Sequence, residues 1–106
     1  MINVSVRLGC IAGLLIASIG AQASQLERGK ALFSQDVTPA CGLCHTLESA
    51  GTNGQIGPNL NDLAPTAEQI RAAVTQGVGI MPSYDGVLSA EDVEAVVRFV
   101  SESVKQ

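Results

Sequence analysis

Three stretches of this 106-residue chain carry apolar residues at helical spacing, separated by two that do not. In the first, Leu26, Gly29, Leu32 and Phe33 recur at steps of three and four, which predicts a helix from Ser24 to about Gln35, ending near Asp36. Gly29 costs that helix stability relative to alanine, so its presence points to close crossing by another helix. In the second, Ile70, Ala73, Val74 and Gly77 share one face, and Thr66 with Gln69 three residues on forms a capping box. A helix is predicted from Thr66 to Gln76, with Gly77 as the left-handed residue past its end. In the third, Ser89 with Asp92 marks a start, and Val93, Val96, Val97, Val100 and Val104 make one stripe with Phe99 at its edge. That helix should span Ser89 to Ser103. Its valines are poor helix formers, so packing must hold it. The expected partner is the first helix, with Gly29 and Phe33 against Val96, Phe99 and Val100.

Between these stretches, Val37-Thr38-Pro39-Ala40 reads as a turn, because the residue before proline is pushed out of the helical region. Residues Glu48 to Asn61 are rich in Gly, Asn and Pro and predict a loop, not a strand. A loop that long needs something other than backbone pairing to order it. Gly77 to Tyr84 reads as a second, extended loop.

The amino-terminal pattern differs. Arg7 is the only charged side chain in the first 26 positions, Leu8 to Ile19 form an apolar run, and Ala21-Gln22-Ala23 is a small-x-small cleavage site. Residues 1–23 are expected to be a secretory signal removed after Ala23, leaving residues 24–106 as one exported domain. The apolar run is short of the roughly 20 residues a membrane span needs. Leu8-Gly9-Cys10 stands at the start of that run instead of after it, which argues against a lipoprotein site.

Cleavage changes the composition that matters. Residues 24–106 keep only Phe33, Tyr84 and Phe99 as aromatics, a thin core for a small domain and one that a buried cofactor would fill out. They hold five basic and ten acidic residues, a net charge of −5. This argues against nucleic acid or an anionic membrane as partners and allows steering by a basic rim on a partner protein.

The chemistry concentrates at Cys41-Gly42-Leu43-Cys44-His45. Two thiols on one helical turn followed by an imidazole is the arrangement that attaches haem through two thioethers and ligates its iron from one face. A structural zinc site needs four ligands, and outside the leader the chain offers two Cys and one His. A disulfide oxidoreductase would place its cysteine pair after a strand, and no strand pattern precedes Cys41. Met81, 36 residues after His45, is the only methionine outside the leader. A lone methionine often fills a core gap. Here, with no second His and with Pro82 stiffening the loop, Met81 is the expected sixth ligand, a soft donor that raises the reduction potential. A ligating His needs its other ring N–H held, and the carbonyl of Pro58 within Gly57-Pro58-Asn59-Leu60 is one acceptor; an ordinary turn is the other reading of that tetrapeptide.

With the Cys-x-x-Cys-His motif, the Gly-Pro-Asn-Leu segment, the Ile80-Met81-Pro82 loop and the terminal helices in place, residues 25–104 resemble the small class I monohaem cytochromes c of bacteria. The resemblance implies an all-α cytochrome c fold, three to four helices wrapped around one covalent haem c, with the N- and C-terminal helices crossing at Gly29 and Phe99. It implies that His45 and Met81 ligate the iron and that the Pro58 carbonyl accepts from His45. The implied function is periplasmic one-electron transfer, not catalysis. The partners would be redox proteins, a donor dehydrogenase and an oxidase or other acceptor, meeting a haem edge rimmed by Ala40, Gly42, Leu43, Ile80, Pro82 and Ser83. No membrane contact is expected after signal cleavage. Two alternatives stay open: a dedicated subunit or acceptor of an exported dehydrogenase, a sulfite dehydrogenase for example, and a haem sensor or peroxidase with a labile Met81.

Overall fold

The computed structural model describes residues 11–105, with side chains from residue 19 onward. Arg7 and the Leu8-Gly9-Cys10 triplet lie outside the described residues. Five helices follow in order: α1 (Ile11–Ala31), α2 (Cys41–Cys44), α3 (Leu60–Leu63), α4 (Ala67–Gln76) and α5 (Ala90–Val104). A wider π-helical turn, Leu32–Asp36, continues α1, and a two-stranded antiparallel hairpin joins β1 (Thr46–Leu47) to β2 (Thr52–Asn53). None of the described helices is long and apolar enough to cross a membrane.

Helices α1 and α5 make the principal packing contact, and α4 lies against α5. At the crossing, a Cβ on Gly29 would overlap the Ala95 carbonyl and the Phe99 side chain, so only glycine admits this approach. Phe33 and Phe99 meet edge to face with ring centroids 6.1 Å apart. Such a pair adds about 1 kcal/mol beyond its burial. The whole valine stripe of α5 is buried, as are all three aromatics. Ala95 is also buried, facing the glycine crossing. Around this core Arg28 reaches from α1 to Asp92 and Asp36, and Arg71 of α4 grips Glu94 of α5 with two hydrogen bonds.

The α4 and α5 predictions hold in placement and in capping of the N-termini. Thr66 and Gln69 form the reciprocal box, and Ser89 accepts from the Asp92 amide. Three expectations need correction. The first helix begins at Ile11 instead of Ser24, because the Ile, Leu and Ala residues that precede Ser24 extend it without a break. Glu48–Asn61 is not all loop: Thr52–Asn53 pairs with Thr46–Leu47, and Leu60 opens a one-turn helix capped by the Asn59 side chain. Finally, Gly77 is not left-handed helical: at φ 74 and ψ 163 it takes an extended conformation open to glycine, turning the chain directly into the Met81 loop.

Candidate functional site

Helix α2 is a single turn entered from an extended Ala40 and left through an extended His45, with the His45 amide donating to the Cys41 carbonyl at 3.0 Å. Cys41 and Cys44 therefore stand on one turn while the imidazole swings clear of it. Both thiols are free. Burial pushes the Cys41 thiol up to about 11, the opposite of the acidification that makes thiols reactive.

His45 Nδ1 lies 2.7 Å from the Pro58 carbonyl. A carbonyl only accepts, so Nδ1 carries the proton and Nε2 keeps a free lone pair. Gly57 makes that contact possible: a Cβ there would sit 2.5 Å from Cε1 and 2.9 Å from Nδ1 of the ring. Its amide donates to the Cys44 carbonyl at 2.8 Å. The hairpin braces the same strand from the other side, since the Thr52 hydroxyl donates to the His45 carbonyl and accepts from the Leu47 amide. Thr46 donates to the Gly54 carbonyl, and the Asn61 side chain accepts from the Glu48 amide.

Met81 lines the same cavity as His45, from a loop that closes the end of α4. Helices leave their last carbonyls without internal partners. Here the Gly77 amide takes Ala73, the Tyr84 amide takes Val74 and the Ser83 hydroxyl takes Thr75. Val78 and Met81 exchange both backbone hydrogen bonds, forming a tight turn. The Tyr84 hydroxyl donates to the Pro39 carbonyl at 2.6 Å, and burial pushes the phenol's pKa up to about 12, which keeps it a donor at neutral pH.

Cys41, Cys44, His45, Pro58 and Met81 all line one cavity of about 470 Å³, a size in the range of about 300–1,000 Å³ typical of cofactor pockets. Its remaining wall comes from Phe33, Val96 and Val100 of the helical crossing, Ile70, Ala73 and Val74 of α4, and Leu60 and Leu63 of α3; no Asp, Glu, Lys or Arg lines it. Two free thiols, an oriented imidazole and a thioether around an apolar space fit a covalently held haem. Among the described residues no group of three His, Cys, Asp or Glu side chains could hold a bare metal ion. Of the anticipated rim, Ala40, Ile80 and Pro82 line the cavity, whereas Gly42, Leu43 and Ser83 lie outside its wall. Ile56, Val78 and Ile80 line it and are exposed, marking its mouth.

Three residues of the site escape sequence reasoning. Gly57 reads as loop, although a residue without a Cβ just before the proposed carbonyl is the available clue. Thr52 and Tyr84 act on backbone carbonyls, which leave no mark in a sequence.

Residues 24–100 match the family model described as cytochrome C oxidase, cbb3-type, subunit III. Cytochrome c6 of Microcystis aeruginosa is 36% identical over 76 residues, covering 68% of this chain and 89% of that protein. Cytochrome c-551 of Halorhodospira halochloris is 24% identical over 83 residues, covering 73% and 99%. Among solved structures, the c-type cytochrome SorU from Sinorhizobium meliloti superposes with a TM-score of 0.74 at 41% identity, over 77% of this chain and 93% of SorU. The motif, the cavity and these relatives agree: the chain belongs to the cytochrome c family, and it is a helical electron-transfer protein with covalently bound haem c.

Proposed function

We propose that this chain is an exported one-electron carrier whose haem is attached through Cys41 and Cys44 and whose iron is ligated by His45 Nε2 and the Met81 sulfur. The observation that carries the reading is the convergence of these four side chains on one uncharged cavity. Haem supplies a Fe(II)/Fe(III) couple. The Pro58 carbonyl holds the imidazole in one tautomer and makes it a stronger donor, while the Met81 thioether favours the reduced state. With both ligand positions taken by the protein, no position is left for a substrate. The domain is therefore a carrier, not an enzyme.

Electrons pass at the mouth, where Ile80 is 84% exposed beside Ile56 and Val78. Transient redox contacts are small, and a mouth of this extent suits docking by a donor dehydrogenase and by an oxidase or other acceptor. Arg28, Arg71 and Arg98 each pair with an acid, so the outward field is acidic and favours a partner with a basic rim. Export to the periplasm follows from residues 1–23 acting as a signal, with the cleavage site at Ala21–Ala23 exposed on α1. A dedicated acceptor of one exported dehydrogenase is the narrower form of this reading. It is favoured by four exposed aliphatic side chains near the site, Leu43, Ile56, Val78 and Ile80, since lasting interfaces are more apolar. Saturable reduction by a single enzyme distinguishes it.

The central test is Met81→Ala. Loss of the sulfur-to-iron charge-transfer absorption and a reduction potential lower by roughly 100 mV or more are expected, a tenfold change in a one-electron equilibrium being about 59 mV. An unchanged spectrum would show that Met81 is not the ligand.

A further inference from the structure

Tyr84 is 4% exposed, and its hydroxyl bonds to the carbonyl of Pro39, 45 positions earlier. Pro39 stands two residues before Cys41, and Tyr84 three residues after Met81. That bond therefore joins the loop that carries Met81 to the segment that carries the attachment cysteines. The loop's other fastenings run back into α4, through the Ser83 hydroxyl to Thr75 and the Tyr84 amide to Val74. They seat the loop on the helix it leaves, without reaching the opposite wall. Among the described residues 77–85, the Tyr84 hydroxyl alone makes that crossing by a hydrogen bond.

We propose that Tyr84 is a positioning residue, a clasp whose bond to Pro39 sets how often the Met81 loop swings away from the cavity. The proposal rests on Met81 being the sixth ligand and adds what controls its release. For Met81 to leave, the loop between Val78 and Tyr84 must move outward, and the part of it hydrogen-bonded to the attachment segment is Tyr84. Breaking the clasp would separate a buried donor from its acceptor, so the open form is rare. Removing the hydroxyl lets the loop open without that loss. The ring, which fills the cavity wall, stays in place.

The test uses the ferric holoprotein carrying Tyr84→Phe and measures the rate at which added imidazole displaces Met81, by stopped-flow loss of the charge-transfer absorption. In that exchange the iron–sulfur bond breaks and an iron–nitrogen bond forms, with no change of oxidation state. The expected result is a rate about fivefold higher, the effect of one lost hydrogen bond on a local opening. An unchanged rate, whether or not the urea midpoint falls, would reduce Tyr84 to a packing residue and overturn the clasp. Absence of the charge-transfer absorption in the unsubstituted protein would instead defeat the ligation reading, and the clasp with it. A second measurement needs no variant. In the unsubstituted holoprotein, the Tyr84 hydroxyl proton should be protected from solvent exchange by NMR; exchange as fast as in a free phenol overturns the proposal.

Discussion

His45 and Met81 face the same cavity from backbones of different construction. On the His45 side the hydrogen bonds that hold the ring and its strand are made within residues 41–61: the ring to Pro58, Gly57 to Cys44, Thr52 to His45, and Glu48 to Asn61. That side braces itself and is tied further by two thioethers. The Met81 side instead hangs on the end of another element. Its loop satisfies the last carbonyls of α4 and reaches the attachment segment through Tyr84 alone. One wall is thus built to be permanent and the other to be held shut, so exchange with outside ligands should begin at Met81.

The strongest way to break this contrast is Gly57→Ala. The added methyl would meet the imidazole at 2.5 Å, and the ring is held at both ends, by its own backbone and by Pro58. Overpacking of this kind costs about 3 kcal/mol. Tilting the ring away from the carbonyl removes the bond that makes it a stronger donor. The reduction potential should then rise by about 40 mV, equivalent to one hydrogen bond in a one-electron couple. Potentiometry of the variant checks both sign and size. A potential unchanged in a folded variant would mean that the Pro58 bond does not tune the iron.

Next in size is Gly77→Ala on the opposite wall. At φ 74 and ψ 163 a side chain is strained, and its Cβ would lie 2.8 Å from the Met81 carbonyl and 2.9 Å from the Ser83 amide. The strain should reach about 2 kcal/mol. Since it falls on the loop, it should appear as imidazole binding accelerated by about tenfold or more, with the potential moved less than in the Gly57 variant. Equal potential shifts in the two would erase the distinction between the walls.

The contrast also explains what could be read from the sequence. Buried faces repeat every three to four residues in α4 and α5, so their extents and caps were legible to within a residue. The five residues of the attachment motif were legible because covalent chemistry dictates their spacing, and the place of Met81 on the cavity wall because residues 24–106 hold no other sulfur outside that motif. The hairpin at Thr46–Asn53 was not: strands of two residues show no alternation, and a threonine hydroxyl supplies bonds that a longer strand would take from the backbone. The Tyr84 clasp was invisible for a related reason. Its acceptor is a main-chain carbonyl 45 residues away, and any residue carries one.

The smallest expected effect concerns the support beneath the Met81 wall. Arg71 on α4 holds Glu94 on α5 at 2.6 and 2.9 Å, and the guanidinium's hydrogen bonds pull the carboxyl below its ordinary 4.5. A lowered carboxyl binds its proton more weakly in the folded chain. Its contribution to stability is therefore present above about pH 4.5 and is lost as the pH falls through the lowered value. Both side chains are more than two-fifths exposed, so water and salt screen the pair. Glu94→Gln should lower the melting midpoint by no more than about 2 °C at neutral pH. The difference from the unsubstituted protein should vanish in about 1 M salt and in acid. The rate of imidazole binding should not change, because the loop is fastened to the carbonyls of α4 and to Pro39, not to α5. If that rate rises with loss of the pair, the seat of α4 on α5 also governs Met81, and the weaker wall begins one helix deeper than its loop.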